Sequence, residues 1–144
     1  MMTFQIKARS EGLKVEAEAG KHSLTLDEGS QMGGKDEGPN PLQTTLSALA
    51  SCENVTAHMA AKEMNFDLQG ITFEISGKFD PKGFMGDPEV RPYFQSVEVK
   101  AVVKTSESDD RIQELQEKVE SRCPVYTMMK AANVDMNDQW TKAS

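Results

Sequence analysis

The chain is short of most features that make a function readable from composition. Positive charge is scarce: 23 acidic residues against 16 basic ones give a formal net charge of -7. A nucleic-acid binder needs a basic face to neutralise phosphate, so nucleic acid is not an expected partner. Long apolar runs are missing, and nothing approaches the ~20 residues of a membrane span. No basic segment followed by an apolar stretch opens the chain, so no signal peptide is expected and the cytoplasm is the expected compartment. Histidine is limited to His22 and His58, and no Cys-x-x-Cys or His-x-x-x-His spacing gathers a tetrahedral metal site. Neither metal nor cofactor is expected. Cysteine is limited to Cys52 and Cys123, too few for a disulfide framework. The two are either inert core residues or a redox pair.

What remains suits an ordinary soluble protein. A chain of 144 residues, 38% hydrophobic and 27% charged, builds one domain with a real core, and a single domain over 1–144 is expected. The centre of that domain is the stretch from Gly38 to Met64. Asn40 is placed to cap a helix and Pro41 fits the first helical position, where its missing N–H is no loss. No glycine or proline follows until Gly70. Leu42, Leu46 and Leu49 form a stripe, and Ala48, Ala50, Ser51, Ala57, Ala60 and Ala61 keep much of the remaining surface small. A helix so apolar or small all round is buried on several sides.

Around it, alternation marks strands. Phe4, Ile6 and Ala8, then Leu13, Val15 and Ala17, then Leu24 and Leu26 predict a three-strand meander with turns at Glu11-Gly12 and Gly20-Lys21. The glycine-rich stretch 27–40 is a loop and a candidate site wall. Ile71, Phe73 and Ile75 predict a strand that pairs as an antiparallel hairpin with Val97, Val99, Ala101 and Val103. Residues 80–93 read as an irregular connection. Its Arg91 either borders a site or subunit contact or is a plain surface arginine, while Phe84, Met85 and Tyr93 are an apolar site wall or else core or dimer-interface residues. Ile112, Leu115 and Val119 predict a helix from about Ser106 or Ser108 to Arg122. Pro124 opens a shorter one to about Ala132, and Val134, Met136 and Trp140 suggest a final strand. The order is that of an α+β domain.

Cys123 stands at the expected start of a helix, where free amides and the dipole favour a thiolate. Cys52 lies about three turns inside the long helix, so any stabilising cation must come from another segment. Only Arg9, Arg91, Arg111 and Arg122 are available. Glu53 falls within roughly 20° of the Leu42 direction at ~100° per residue, inside the leucine stripe. A carboxylate there needs a cation or a hydroxyl to be tolerated.

The stretch Gly33-Gly34-Lys35-Asp36-Glu37-Gly38-Pro39-Asn40-Pro41, the small-residue helix carrying Cys52, and Val119-Glu120-Ser121-Arg122-Cys123-Pro124 together resemble the OsmC/Ohr family. The resemblance runs from about Phe4 to Trp140. It implies antiparallel sheets around a long central helix in an intertwined homodimer. It also implies a thiol-dependent peroxidase acting in oxidative-stress defence, with hydroperoxide as substrate and a small or lipoylated dithiol as reductant. By the same resemblance Cys52 is the peroxidatic thiol, Cys123 the resolving thiol and Arg9 the activating cation. Leu42, with Gln43 after it, stands where the family has the glutamate that holds this arginine. Glu53 either lies at a wet edge of the site or bonds to Asn54 or His58, or it pairs with an arginine and replaces that glutamate; Gln43 could orient the arginine by hydrogen bonding, without charge. Two other readings stay open: a non-catalytic binding or redox-sensing protein holding a small apolar ligand between subunits, and a structural dimer with inert cysteines.

Overall fold

The computed structural model describes residues 1–144. Strands β1 (Lys7–Glu11), β2 (Lys14–Ala19) and β3 (His22–Leu26) come first, followed by the helix α1 (Pro41–Met64). Next are β4 (Gly70–Lys78), the single turn α2 (Pro81–Phe84) and β5 (Ser96–Lys104). Helices α3 (Asp109–Arg122) and α4 (Pro124–Ala131) lead to β6 (Asp135–Lys142). The chain forms two compact units, Met1–Ser47 and Ala48–Ser144, and the family of motifs in 33–52 straddles the junction.

In the first unit the expected meander is present, with order β1-β2-β3 and both pairings antiparallel. Its turns use Gly12 and Gly20 at positive φ, which a glycine adopts without strain. The first strand starts later than expected. Phe4 and Ile6 precede β1 and are exposed, because a period-2 pattern cannot hold a strand beyond the length of its partner. The glycine-rich loop is tied internally by Asp27, whose buried carboxylate accepts from the backbone N–H groups of Glu28, Lys35 and Glu37 at 2.8, 3.2 and 3.2 Å. Burial would raise the pKa of this carboxyl, but the three amides outweigh it and hold it below its ordinary value. Gly34 passes so close to the Glu28 carbonyl that a Cβ would collide with backbone.

Helix α1 starts as its sequence dictates. The Asn40 side chain accepts from Gln43 N–H at 2.8 Å, and the Gln43 side chain accepts from Asn40 N–H at 2.9 Å. This is a capping box with glutamine at the third helical position. Gln43 is thereby committed to the cap, so its expected role of orienting an arginine is not realised.

In the second unit β4 and β5 pair antiparallel, with Ile71 opposite Val103 and Phe73 opposite Ala101. The expected irregular connection contains α2, capped by Asp80 and opened by Pro81. One feature departs from the expected antiparallel sheets: β6 pairs with β5 in parallel, giving the order β4-β5-β6. The physical reason is the connection. Between β5 and β6 the chain travels back along α3 and α4, and a strand that follows such a crossover runs in the same direction as its predecessor. The core of this unit gathers Leu49, Ala57 and Ala60 of α1, Val97, Val99, Ala101 and Val103 of β5, and Ile112, Leu115 and Val119 of α3. Trp140 of β6 is buried among them and meets Phe73 edge to face, centroids 6.1 Å apart.

Candidate active site

Cys52 and Cys123 are brought together. Cys52 sits on α1, half-buried, and Cys123 is fully buried at the junction of α3 and α4. Both are free thiols, and Cys52 is close enough to Cys123 to raise its pKa. The junction is made by sequence. Pro124 lacks the N–H needed to continue α3, so α3 stops at Arg122 and Cys123 takes an extended conformation as the cap of α4. Its Sγ accepts from Tyr126 N–H at 3.4 Å. Beside it, Arg122 clasps Glu63 of α1 through two hydrogen bonds of 2.7 and 3.0 Å, pinning the end of α3 to the end of α1.

The expectation that a helix start would favour the Cys123 thiolate is corrected. Burial pushes this thiol up to about 12, and the Tyr126 amide recovers only part of the shift. The neighbouring Cys52 sulfur raises it further. Desolvation of a charge in a closed core exceeds what the Tyr126 and Val125 amides return. Cys123 is a neutral thiol.

The expected pairing of Glu53 with an arginine is also corrected. Glu53 is completely buried (0% exposed), and neither carboxylate oxygen has a hydrogen-bond donor. Arg111 pairs with Glu107 and Glu114, Arg122 with Glu63, and Arg91 donates to the Asn133 carbonyl. The groups that face Glu53 are instead acidic: Asp138 of β6, Glu120 of α3 and the Cys52 thiol. Burial, then the Asp138 charge, push the Glu53 carboxyl up to about 9, so it is neutral at physiological pH. Asp138 is raised as well, again by burial first. Tyr126 lies beside Glu120, and burial with the surrounding carboxylates drives its hydroxyl far above the ordinary phenol value. Gln116 donates to Glu120 at 3.2 Å and to the Asp138 carbonyl at 3.0 Å. The Trp140 indole N–H, beside Asp138, is buried without a well-placed acceptor.

Asp138 was not among the residues the sequence singled out, and Glu120 appeared only within the motif around Cys123, though a signal exists for each. Asp138 lies between Met136 and Trp140 at strand period, on the face that turns inward. Glu120 follows Val119 and lies four residues after Gln116, on the flank of the buried stripe of α3. Of the other candidates, Arg9 lies within β1 of the first unit, exposed, with Glu16 opposite it on β2. Leu42 is half-buried in the first turn of α1. Phe84, Met85 and Tyr93 are exposed, and the Arg91 guanidinium stands 5.3 Å over the Tyr93 ring. No cluster of three or more histidine, cysteine or acidic side chains has the geometry of a metal site, and no helix is long and apolar enough to cross a membrane.

A family model described as OsmC-like protein matches residues 34–137, most of the chain and both cysteines. The chain belongs to the OsmC-like family. The fold of this OsmC-like protein is similar to that of an OsmC-like protein from Mycoplasma pneumoniae, with a TM-score of 0.86, 20% identity and 99% of each chain covered. It is also similar to an organic hydroperoxide resistance protein OsmC from Legionella pneumophila, with a TM-score of 0.69 and 18% identity over 100% of this chain and 98% of that one. The organic hydroperoxide resistance protein OhrB of Bacillus subtilis gives a TM-score of 0.65 at 22% identity, over 96% of this chain and 98% of that one. No curated protein matches the sequence.

Proposed function

We propose that this OsmC-like protein is a thiol-dependent hydroperoxide reductase in which Cys52 attacks and Cys123 resolves. The observation that carries the reading is the meeting of two cysteines distant in sequence, one half-exposed and one fully buried, with Cys52 close enough to raise the pKa of Cys123. A peroxide reaches the first and is shielded from the second, which matches an attacking and a resolving thiol.

In the first step the Cys52 thiolate attacks the hydroperoxide's terminal oxygen. The O–O bond breaks, sulfur is oxidised to sulfenic acid, and the alkoxide leaves as alcohol after taking a proton. In the second, Cys123 attacks the Cys52 sulfur, the S–S bond forms and water departs with the Cys123 proton. A dithiol, small or lipoylated, then reduces the disulfide and is itself oxidised. Arg9 is the proposed cation for the Cys52 thiolate, since a guanidinium close to a thiolate stabilises it.

A homodimer is part of the same reading. Along α1, Cys52 shares an exposed stripe with Val55 and Met59, which are 56% and 58% exposed. An apolar stripe of this kind on a buried-type helix suits a second copy of the chain.

Mixing the reduced protein with cumene hydroperoxide and counting free thiols over time tests the proposal. Rapid loss of both thiols, abolished in Cys52→Ser, is expected. Loss only over hours would overturn it and leave the non-catalytic reading, a protein binding a small apolar ligand or sensing oxidants slowly.

A further inference from the structure

The Glu53 carboxyl is packed against acidic groups from every side that carries a titratable one. Cys52 faces it from α1, Glu120 from α3 and Asp138 from β6, with Tyr126 of α4 facing Glu120 and Asp138. No basic side chain of the second unit takes part. Glu53 is wholly buried and both its oxygens lack donors, as do both side-chain oxygens of Asp138. Two buried, adjacent, ionised carboxylates with no donor are strongly unfavourable. A proton shared between them removes the problem, with the Glu53 carboxylic acid donating to the Asp138 carboxylate.

We propose that Glu53 and Asp138 form a proton-sharing pair that balances charge against Cys52, making Glu53 a positioning residue for the reactive thiol. With one shared proton the Glu53–Asp138 pair carries one negative charge. When Cys52 gives up its proton, the Asp138 carboxylate takes one up: thiol plus carboxylate become thiolate plus carboxylic acid, with charge and proton count unchanged. When the pair instead loses its proton to solvent, the added charge opposes the thiolate. The ionisations of thiol and pair are therefore coupled, and each displaces the other. This rests on Cys52 being the reactive thiol of the proposed function. Its test does not use peroxide, so inertness towards peroxide would count against that function alone.

The test is the rate of iodoacetamide alkylation at Cys52, located by mass spectrometry, across pH ~5–10. The native protein is expected to give a broad, two-step profile. Glu53→Gln is expected to give a single step, with alkylation at least about threefold faster above pH ~9, where the pair would carry its extra charge, and little change near neutrality. Superimposable profiles for native protein and folded Glu53→Gln would overturn the proposal. Should Glu53→Gln fail to fold, infrared spectroscopy of the native protein decides the matter. A protonated-carboxyl band is expected at neutral pH and should vanish on titration to about pH 9 or above. In Cys52→Ser the band should vanish at lower pH, because coupling between two sites is reciprocal. A native protein with no such band would refute the pair, and a band unmoved by Cys52→Ser would refute its coupling to the thiol; either result overturns the proposal.

Discussion

At Cys123 two effects oppose each other. The amides at the start of α4 favour a thiolate, and the closed core around the sulfur disfavours one, with the thiol held near 12 as the result. Selective alkylation follows. At neutral pH, iodoacetamide is expected to label Cys52 of the reduced folded protein well before Cys123, and to label both at similar rates in denaturant. Peptide mass spectrometry reads the order. At Glu53 the opposing effects give a pH dependence of stability. Its carboxyl titrates near 4.5 in the unfolded chain and near 9 in the folded one. Below the lower value both states are protonated and folding is unaffected. As pH rises through the window the unfolded carboxyl ionises freely while the folded one does not, so stability falls until about 9, where the loss is complete. Glu53→Gln removes that loss, so its advantage over the native protein should grow from about pH 5 to pH 9, reaching on the order of a few kcal/mol. Melting temperatures measured against pH check it, and parallel curves for the two proteins would contradict it.

At the scale of elements, the starts of the helices were the most legible parts of the chain, because each is written in a few adjacent residues. Asn40-Pro41, Ser108 and Cys123-Pro124 all cap as their chemistry requires. Asn40→Ala should lose the half of the capping box that the Asn40 side chain accepts from Gln43 N–H, and about 1 kcal/mol of stability, read from the urea midpoint with an unchanged slope. The direction of β6 was not legible. The pattern of β6 says which face is buried, while its parallel pairing with β5 depends on how far α3 and α4 carry the chain before it turns back. The fate of Glu53 was legible only in part. Its place on the buried stripe of α1 followed from helical spacing, and its neighbours did not, because Asp138 and Glu120 reach it from two later elements. An acidic residue between Met136 and Trp140 on an inward strand face was the available clue.

For the whole molecule, the stripe of Cys52, Val55 and Met59 sets the expected assembly. Met59→Glu places a charge on that stripe without touching the core, and should turn a dimer into a monomer in sedimentation velocity. A monomeric native protein would remove the homodimer from the proposal. The route of the chain has a further consequence, in time rather than in space. One half of the acid pair rides on α1 and the other on β6, the last strand of the chain, which pairs with β5 only after the crossover through α3 and α4 is complete. The pair needs a contact between residues far apart in the chain, so it is expected to form late in folding and to burden the native state more than the main barrier. Relieving it with Glu53→Gln should leave the refolding rate nearly unchanged and slow the unfolding rate, so that the residue beside the thiol governs how long the protein stays folded more than how quickly it gets there.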